Sequence, residues 1–272
     1  MPAQVIVSGG FDDLKSRDLR LLEEAAKLGE LTVLLWPDAW LQKISGRAPK
    51  FPLAERSYFL KAVRYVARVV EADAVGAQDI NSLPKDLRAD VWADCVASAH
   101  ADREHLAARQ GITYRVFGAD ELGGFPEPPP MPSAPGRKKV VATGCYDWFH
   151  SGHVRFCEEA SAYGDLYVCL GSDANVRLLK GPGHPLLSEA ERRYVVGSIK
   201  YVKQALITTG TGWVDADPEI RRLKPDIYLV NEDGDKGGKR EYCEQMGLEY
   251  VVLKRTPAPG LPPRSSTDLR GF

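Results

Sequence analysis

No stretch of this chain approaches the length of apolar sequence that crosses a bilayer, so no membrane insertion is expected. Its first residues lack the charged-then-apolar order of an export signal. Neither sign of charge prevails. The 36 Lys and Arg stand against 37 Asp and Glu, a formal net charge of −1, which argues against polyanion binding and against nucleic acid as a partner. Cysteine is sparse and scattered, with five residues (Cys95, Cys145, Cys157, Cys169, Cys243) and no C-x-x-C pair among them. An odd, dispersed count without an export signal reads as the reduced thiols of a cytoplasmic protein, with neither a disulfide framework nor a zinc ribbon. What is present is ordinary for a folded chain: 272 residues, 44% hydrophobic and 27% charged, enough for one large domain or two small ones.

The segment "GGFPEPPPMPSAPGRKK" divides the sequence nearly in half. Its prolines cannot continue a helix or a central strand and favour an extended, semi-rigid spacer. The halves on either side repeat one another. "VIVSGGFDDLKSRDLRLLEEAAKLGELTVLL" from Val5 lies over "VVATGCYDWFHSGHVRFCEEASAYGDLYVCL" from Val140 without a gap, and Val5, Gly9, Asp12, Ser16, Arg20, Glu23, Glu24, Ala25 and Gly29 fall on identical residues. After one extra residue, "AERSYFLKAVRYV" from Ala54 lies over "AERRYVVGSIKYV" from Ala190, and "GITYRVF" from Gly111 over "GLEYVVL" from Gly247. Three blocks in one order at nearly one offset read as an internal duplication. The expected domains are 1–122 and 138–272, joined by a linker at 123–137.

Each copy reads as strand, Gly-containing turn, helix, strand, longer loop, helix, strand. "VIVSGG" and "VVATG" are short apolar runs closed by glycine, and "LRLLEEAAKLG" has helical spacing with a glycine stop. "LTVLL", "LYVCL" and "DIYLV" are continuous apolar runs, as in strands covered on both faces. The expected fold class is α/β, with two tandem doubly wound, Rossmann-like parallel-sheet domains related by approximate twofold pseudosymmetry. Any ligand would bind outside the carboxyl ends of the strands.

The chemistry concentrates in "GCYDWFHSGH", between the first strand of the second copy and the helix after it. A helix N-terminus exposes unpaired N–H groups and a positive dipole end, which suits phosphate. Gly144 and Gly152 let backbone approach a ligand, and His150 and His153, at i and i+3, project from one side of the first turn. Two imidazole donors above a phosphate-binding helix end would stabilise the charge of a pentacovalent phosphorus. A metal pair or two surface histidines remain as alternatives, although no third ligand stands at metal spacing.

These residues resemble the H-x-G-H signature of the cytidylyltransferase-like nucleotidyltransferase superfamily, and "RSSTDLR" at 264–270 resembles its second signature. "RLLKGPGHP", "SEAERRYVV" and "KRT" lie between them in family order. The resemblance implies that His150 and His153 contact the nucleotide phosphates. It implies that Gly144, Cys145, Tyr146, Asp147 and Gly152 line the turn, and that Lys180 bridges the substrate phosphate to the α-phosphate. Arg192 and Arg255 would hold the β- and γ-phosphates, and Ser265, Ser266 and Thr267 would cap the triphosphate. Magnesium would accompany the nucleotide, and the substrate's phosphate oxygen would displace pyrophosphate without a covalent intermediate. Taken singly, Lys180 reads equally as a loop lysine, Arg192 as a helix-surface arginine and "RSST" as a capping stretch. The family's arginine loop is stretched here to "RTPAPGLPPRSSTDLR", with Arg264 in place of an aliphatic residue.

In the first copy His150 falls on Lys15, His153 on Asp18 and Lys180 on Ser45, while Arg192 keeps Arg56. A carboxylate at the helix end repels phosphate, so this copy is expected to be non-catalytic, a built-in substitute for a dimer mate. The chain would then be a monomer acting as a pseudo-dimer, or a homodimer. The turn "GCYD" and the "KRT" arginine are similar to those of enzymes that load CTP onto glycerol phosphate or ethanolamine phosphate. ATP, as in adenylyltransferases for sugar phosphates, is the alternative, and a non-enzymatic nucleotide sensor or scaffold is the second. Trp213 is a candidate contact for the substrate, and Asn231, Glu232 and Asp233 stand at the ligand edge of their strand.

Overall fold

The computed structural model of the chain describes residues 1–84 and 87–266, so Thr267 lies outside the described residues. The chain divides into two compact units, Met1–Gly124 and Phe125–Phe272.

The first unit runs β1 (Gln4–Gly9), α1 (Ser16–Ala26), β2 (Glu30–Leu35), α2 (Asp38–Ser45), α3 (Leu53–Ala62), β3 (Arg68–Glu71), β4 (Val91–Cys95), α4 (Ala101–Gln110) and β5 (Thr113–Phe117). Its five strands are all parallel, in the order β3-β2-β1-β4-β5. The second unit runs β6 (Lys139–Gly144), α5 (Ser151–Ser161), β7 (Asp165–Leu170), α6 (Asp173–Lys180), α7 (Glu189–Gly197), β8 (Val202–Ile207), α8 (Asp217–Leu223), β9 (Ile227–Asn231), α9 (Lys239–Met246) and β10 (Glu249–Leu253). Its parallel order is β10-β9-β6-β7-β8. The central strands are buried as the apolar runs predict: Leu31 and Val33–Leu35 are at most 1% exposed, as are Val140–Ala142 and Val168–Leu170.

The elements correspond closely in sequence. β1, α1, β2 and α2 recur as β6, α5, β7 and α6 with bounds 135 residues on, and β4 and β5 recur as β9 and β10 with bounds 136 residues on. In both sheets the chain builds two strands to one side of the central strand and then crosses to the other. The switch point therefore falls between β1 and β4 in the first unit and between β6 and β9 in the second. That gap, at the carboxyl ends, is where doubly wound sheets open a crevice.

The proline segment, read from its sequence as an extended, semi-rigid spacer, has a definite packing partner. Residues 125–137 lie along the second unit as a strap. The Phe125 ring packs at 6.3 Å from that of Tyr194, Glu127 pairs with Arg193 at 2.9 Å, and Met131 N–H donates to the Lys203 carbonyl at 2.9 Å. A Cβ on Gly197 would lie 2.9 Å from Pro128, so α7 ends in the residue that admits the strap. Spacing between prolines says that a segment is extended; it does not say what the segment lies against.

Candidate active site

The site is built on the turn that leaves β6. Tyr146 takes a left-handed conformation, φ 54°, and folds its ring back over Gly144. A Cβ on Gly144 would lie 2.7 Å from that ring, so the position requires glycine. The first unit repeats the arrangement with Phe11 at φ 49° over Gly9.

The turn ends at His150, the N-cap of α5. His150 Nδ1 accepts the Gly152 N–H at 3.1 Å, and His153 Nδ1 accepts the His150 N–H at 3.4 Å. This is a capping box made from two imidazoles in place of Ser and Glu. With Nδ1 an acceptor in both, the proton of each neutral ring sits on Nε2. The ring centroids lie 4.0 Å apart, and Phe149 stacks on His153 at 5.3 Å. Burial, helped by the Arg255 and Arg264 guanidinium groups, holds the His150 pKa down to about 4. Burial, then His150, Arg255 and Lys180, hold His153 well below the usual imidazole value. Both rings are therefore neutral N–H donors at physiological pH. His150 is 2% exposed, and its Nε2 has no hydrogen-bond partner among the described residues. A buried donor left in that state is costly unless a ligand supplies the acceptor.

A cleft opens at the switch point between β6 and β9. Gly144, Cys145, His150 and His153 form one wall; Asn231, Asp233, Lys239 and Arg255 face them. A second hollow continues from Gly152 and Phe156 to Arg264 and Ser265. Ser266 Oγ donates to the Trp148 carbonyl at 3.2 Å, so the terminal serine segment reaches the histidine turn. Arg255 is fixed at three points: its Nη1 donates to Asp233 at 2.7 Å, its Nη2 to the Arg264 carbonyl at 2.8 Å, and its N–H to Glu232 at 3.0 Å. Glu232 and Asp233, expected at the substrate, are thus engaged with the arginine, while Asn231 lines both hollows.

Arg192 is a correction. Instead of reaching for phosphate it is 0% exposed, and it donates to the carbonyls of Leu187, Cys145 and Gly171 and to the Asp173 carboxylate. Arg56 does the same in the first unit, with the carbonyls of Phe51, Gly10 and Trp36 and the Asp38 carboxylate as acceptors. A guanidinium with the same four attachments in a unit without the histidines belongs to the fold. Asp147 is likewise turned inward, accepting the Leu186 and Leu187 N–H groups at 2.6 and 3.0 Å. Lys180 ends α6 exposed on the surface; it does not line the cleft, although its charge acts on His153. Trp213 is 58% exposed and stands beside Gly237, on the loop that leads to Lys239.

Lys239 was not expected. It is the first residue of α9, and its Nζ donates to the Gly234 carbonyl at 2.9 Å. Burial, then Lys236, lowers its pKa. Its position after a β9-type strand was the available signal, but "NEDGDKGGKR" offers three similar cations.

The profile of the family described as Cytidylyltransferase-like matches residues 141–272. The FAD synthase of Ferroglobus placidus is 37% identical over 120 residues, which are 43% of this chain and 75% of that protein. The chain belongs to the cytidylyltransferase-like family. The Bifunctional protein HldE of Geobacter metallireducens is 35% identical over 123 residues, 44% of this chain but 23% of its own length. This cytidylyltransferase-like chain therefore spans about a quarter of the length of that relative. Among solved structures, a lipopolysaccharide core biosynthesis protein from Thermoplasma volcanium is 24% identical, covers 44% of this chain and 99% of its own, and has a TM-score of 0.39.

Proposed function

We propose that the second unit is a nucleotidyltransferase that moves a nucleotidyl group from a nucleoside triphosphate to a small phosphorylated alcohol or sugar, releasing pyrophosphate. The observation that carries the reading is the buried Nε2 of His150, a donor without an acceptor among the described residues, beside His153 at the N-terminus of α5. The acceptor's phosphate oxygen attacks the α-phosphorus, the bond to the β-phosphate oxygen breaks, and that oxygen leaves on pyrophosphate. His150 and His153 hold the equatorial oxygens through Nε2–H without gaining or losing a proton. The helix dipole adds to their effect as negative charge gathers. Arg255, held by Asp233, would meet the β- and γ-phosphates; Lys180 would swing to the acceptor phosphate; Ser265, Ser266 and Thr267 would close over the triphosphate. Gly144, Cys145, Tyr146 and Gly152 would carry backbone to the ligand, and Asn231 and Trp213 would border the acceptor.

Donors of this kind suit anionic oxygen and not a metal. Among the described residues no group of three or more His, Cys, Asp or Glu side chains could hold a metal ion. Magnesium enters the proposal as part of the triphosphate substrate.

The motif likeness favours CTP. The FAD synthase relative, whose named product contains an adenine nucleotide, favours ATP as the second reading. The first unit, with Lys15 and Asp18 in place of the histidines, is proposed to be the non-catalytic product of a duplication. Pyrophosphate release across CTP and ATP, each with a panel of phosphorylated alcohols and sugars, tests the reading. Tight nucleotide binding without turnover by any pair would replace it with a sensor.

A further inference from the structure

The two units use one aspartate differently. In the first unit both carboxylate oxygens of Asp12 are occupied by backbone: Lys50 N–H donates to Oδ2 and Phe51 N–H to Oδ1, each at 2.8 Å. In the second unit the equivalent N–H groups, of Leu186 and Leu187, both donate to Asp147 Oδ1. Asp147 is 5% exposed, and its Oδ2 is buried without a hydrogen bond among the described residues. Facing that open oxygen, at 3.5 Å, is Nδ1 of His184, whose side chain is 16% exposed. A buried carboxylate oxygen without a donor is expensive, and an imidazole within ion-pair reach is the group that relieves it. The first unit has Ala48 or Pro49 at the corresponding place, and neither side chain can donate.

The location gives this pair its consequence. Asp147 belongs to the turn that carries His150, and His184 belongs to the loop between Lys180 and Ser188. Of the charged groups on the flanking helices, Lys180 ends α6, while Arg192 of α7 ties the same loop to the turn through the Leu187 and Cys145 carbonyls. We propose that His184 is a positioning residue for nucleotidyl transfer: by donating to the open oxygen of Asp147 it locks loop 181–188, and with it Lys180, against the phosphate-binding turn. The kinetic half of this proposal rests on the function proposed above; the structural half does not.

The test uses the full chain with His184→Leu, which removes the donor, and His184→Asn, whose amide nitrogen can occupy the place of Nδ1. Amide hydrogen exchange at Leu186 and Leu187 should quicken about tenfold or more in the leucine variant and return toward wild type in the asparagine variant. With an active nucleotide pair, His184→Leu should raise KM for the phosphorylated acceptor and lower kcat, together by about 10- to 100-fold, with KM for the nucleotide little changed. His184→Asn should recover most of this loss. Unchanged exchange in His184→Leu overturns the lock, and equal loosening in both variants overturns the donor role. Loosened exchange with unaltered kinetics overturns the positioning role. If the wild-type chain turns over no pair, the transfer reading falls, while exchange at the two amides still decides the lock.

Discussion

Arg192 donates to the carbonyl of Cys145 at 2.8 Å, from a helix that starts 44 residues further along the chain. The same guanidinium holds Gly171 at the end of β7 and Leu187 before α7, so one side chain gathers the histidine turn and its two neighbours. Replacing it with leucine would leave those buried carbonyls without donors and cost about 3–5 kcal/mol in unfolding free energy. Arg56→Leu should produce a comparable loss in the first unit. Denaturant unfolding of both variants checks this. A stable Arg192→Leu chain with only a raised KM for nucleotide would return Arg192 to the phosphates.

The histidines should act as donors and not as acids. His153→Ala should lower turnover by about two orders of magnitude or more while the chain stays folded. His150→Gln, whose amide nitrogen can approach the place of Nε2, should retain more activity than His150→Asn, whose nitrogen stands nearer Nδ1. Asparagine performing as well as glutamine would contradict the Nε2–H assignment.

The first unit provides the control. Asp18 Oδ2 accepts the Lys15 N–H at 2.8 Å, the capping half of what His153 does. Asp18→Ala should leave turnover unaltered and cost about 1 kcal/mol of stability through the lost cap. Paired kinetics and melting curves would separate the two effects.

Stability should depend on pH through His150. Its folded pKa, about 4, lies below the usual value of 6.5, so between those values the unfolded chain binds the proton that the folded chain refuses. Stability is then complete above about pH 6.5 and falls as pH drops toward 4, by about 3 kcal/mol for this group, with His153 adding in the same direction. His150→Gln should flatten part of that slope. Unfolding curves between pH 4 and 8 that coincide in shape for variant and wild type would count against a buried neutral ring.

Gly144→Ala would push a methyl group against the Tyr146 ring, whose atoms lie 2.7 Å from that point. The expected cost is about 1–3 kcal/mol, with a displaced turn and reduced nucleotide affinity. Calorimetric titration with nucleotide against a melting curve would show both losses together.

The strands were legible because parallel strands covered on both faces need unbroken apolar runs, and Val140–Ala142 and Ile227–Val230 are such runs. The histidine turn was legible because glycine, imidazole and helix start lie within ten residues. Arg192 was not, since a helix arginine reads alike whether its guanidinium points to solvent or inward, and its acceptors lie 5 to 47 positions away. Asp233 and Glu232 looked free for substrate because their partner, Arg255, is more than twenty positions on. Local pattern reveals which groups are present at an edge; long-range pairing decides which of them remain available.

The Pro-rich strap bears on how the second unit could be cut from the chain. A fragment begun after the prolines would strip Phe125 from Tyr194 and Glu127 from Arg193, exposing an aromatic ring and stranding a cation on α7. The smallest autonomous form of the second unit should therefore start near Phe125, and a protease that nicked among the prolines would loosen the very body whose edge they border.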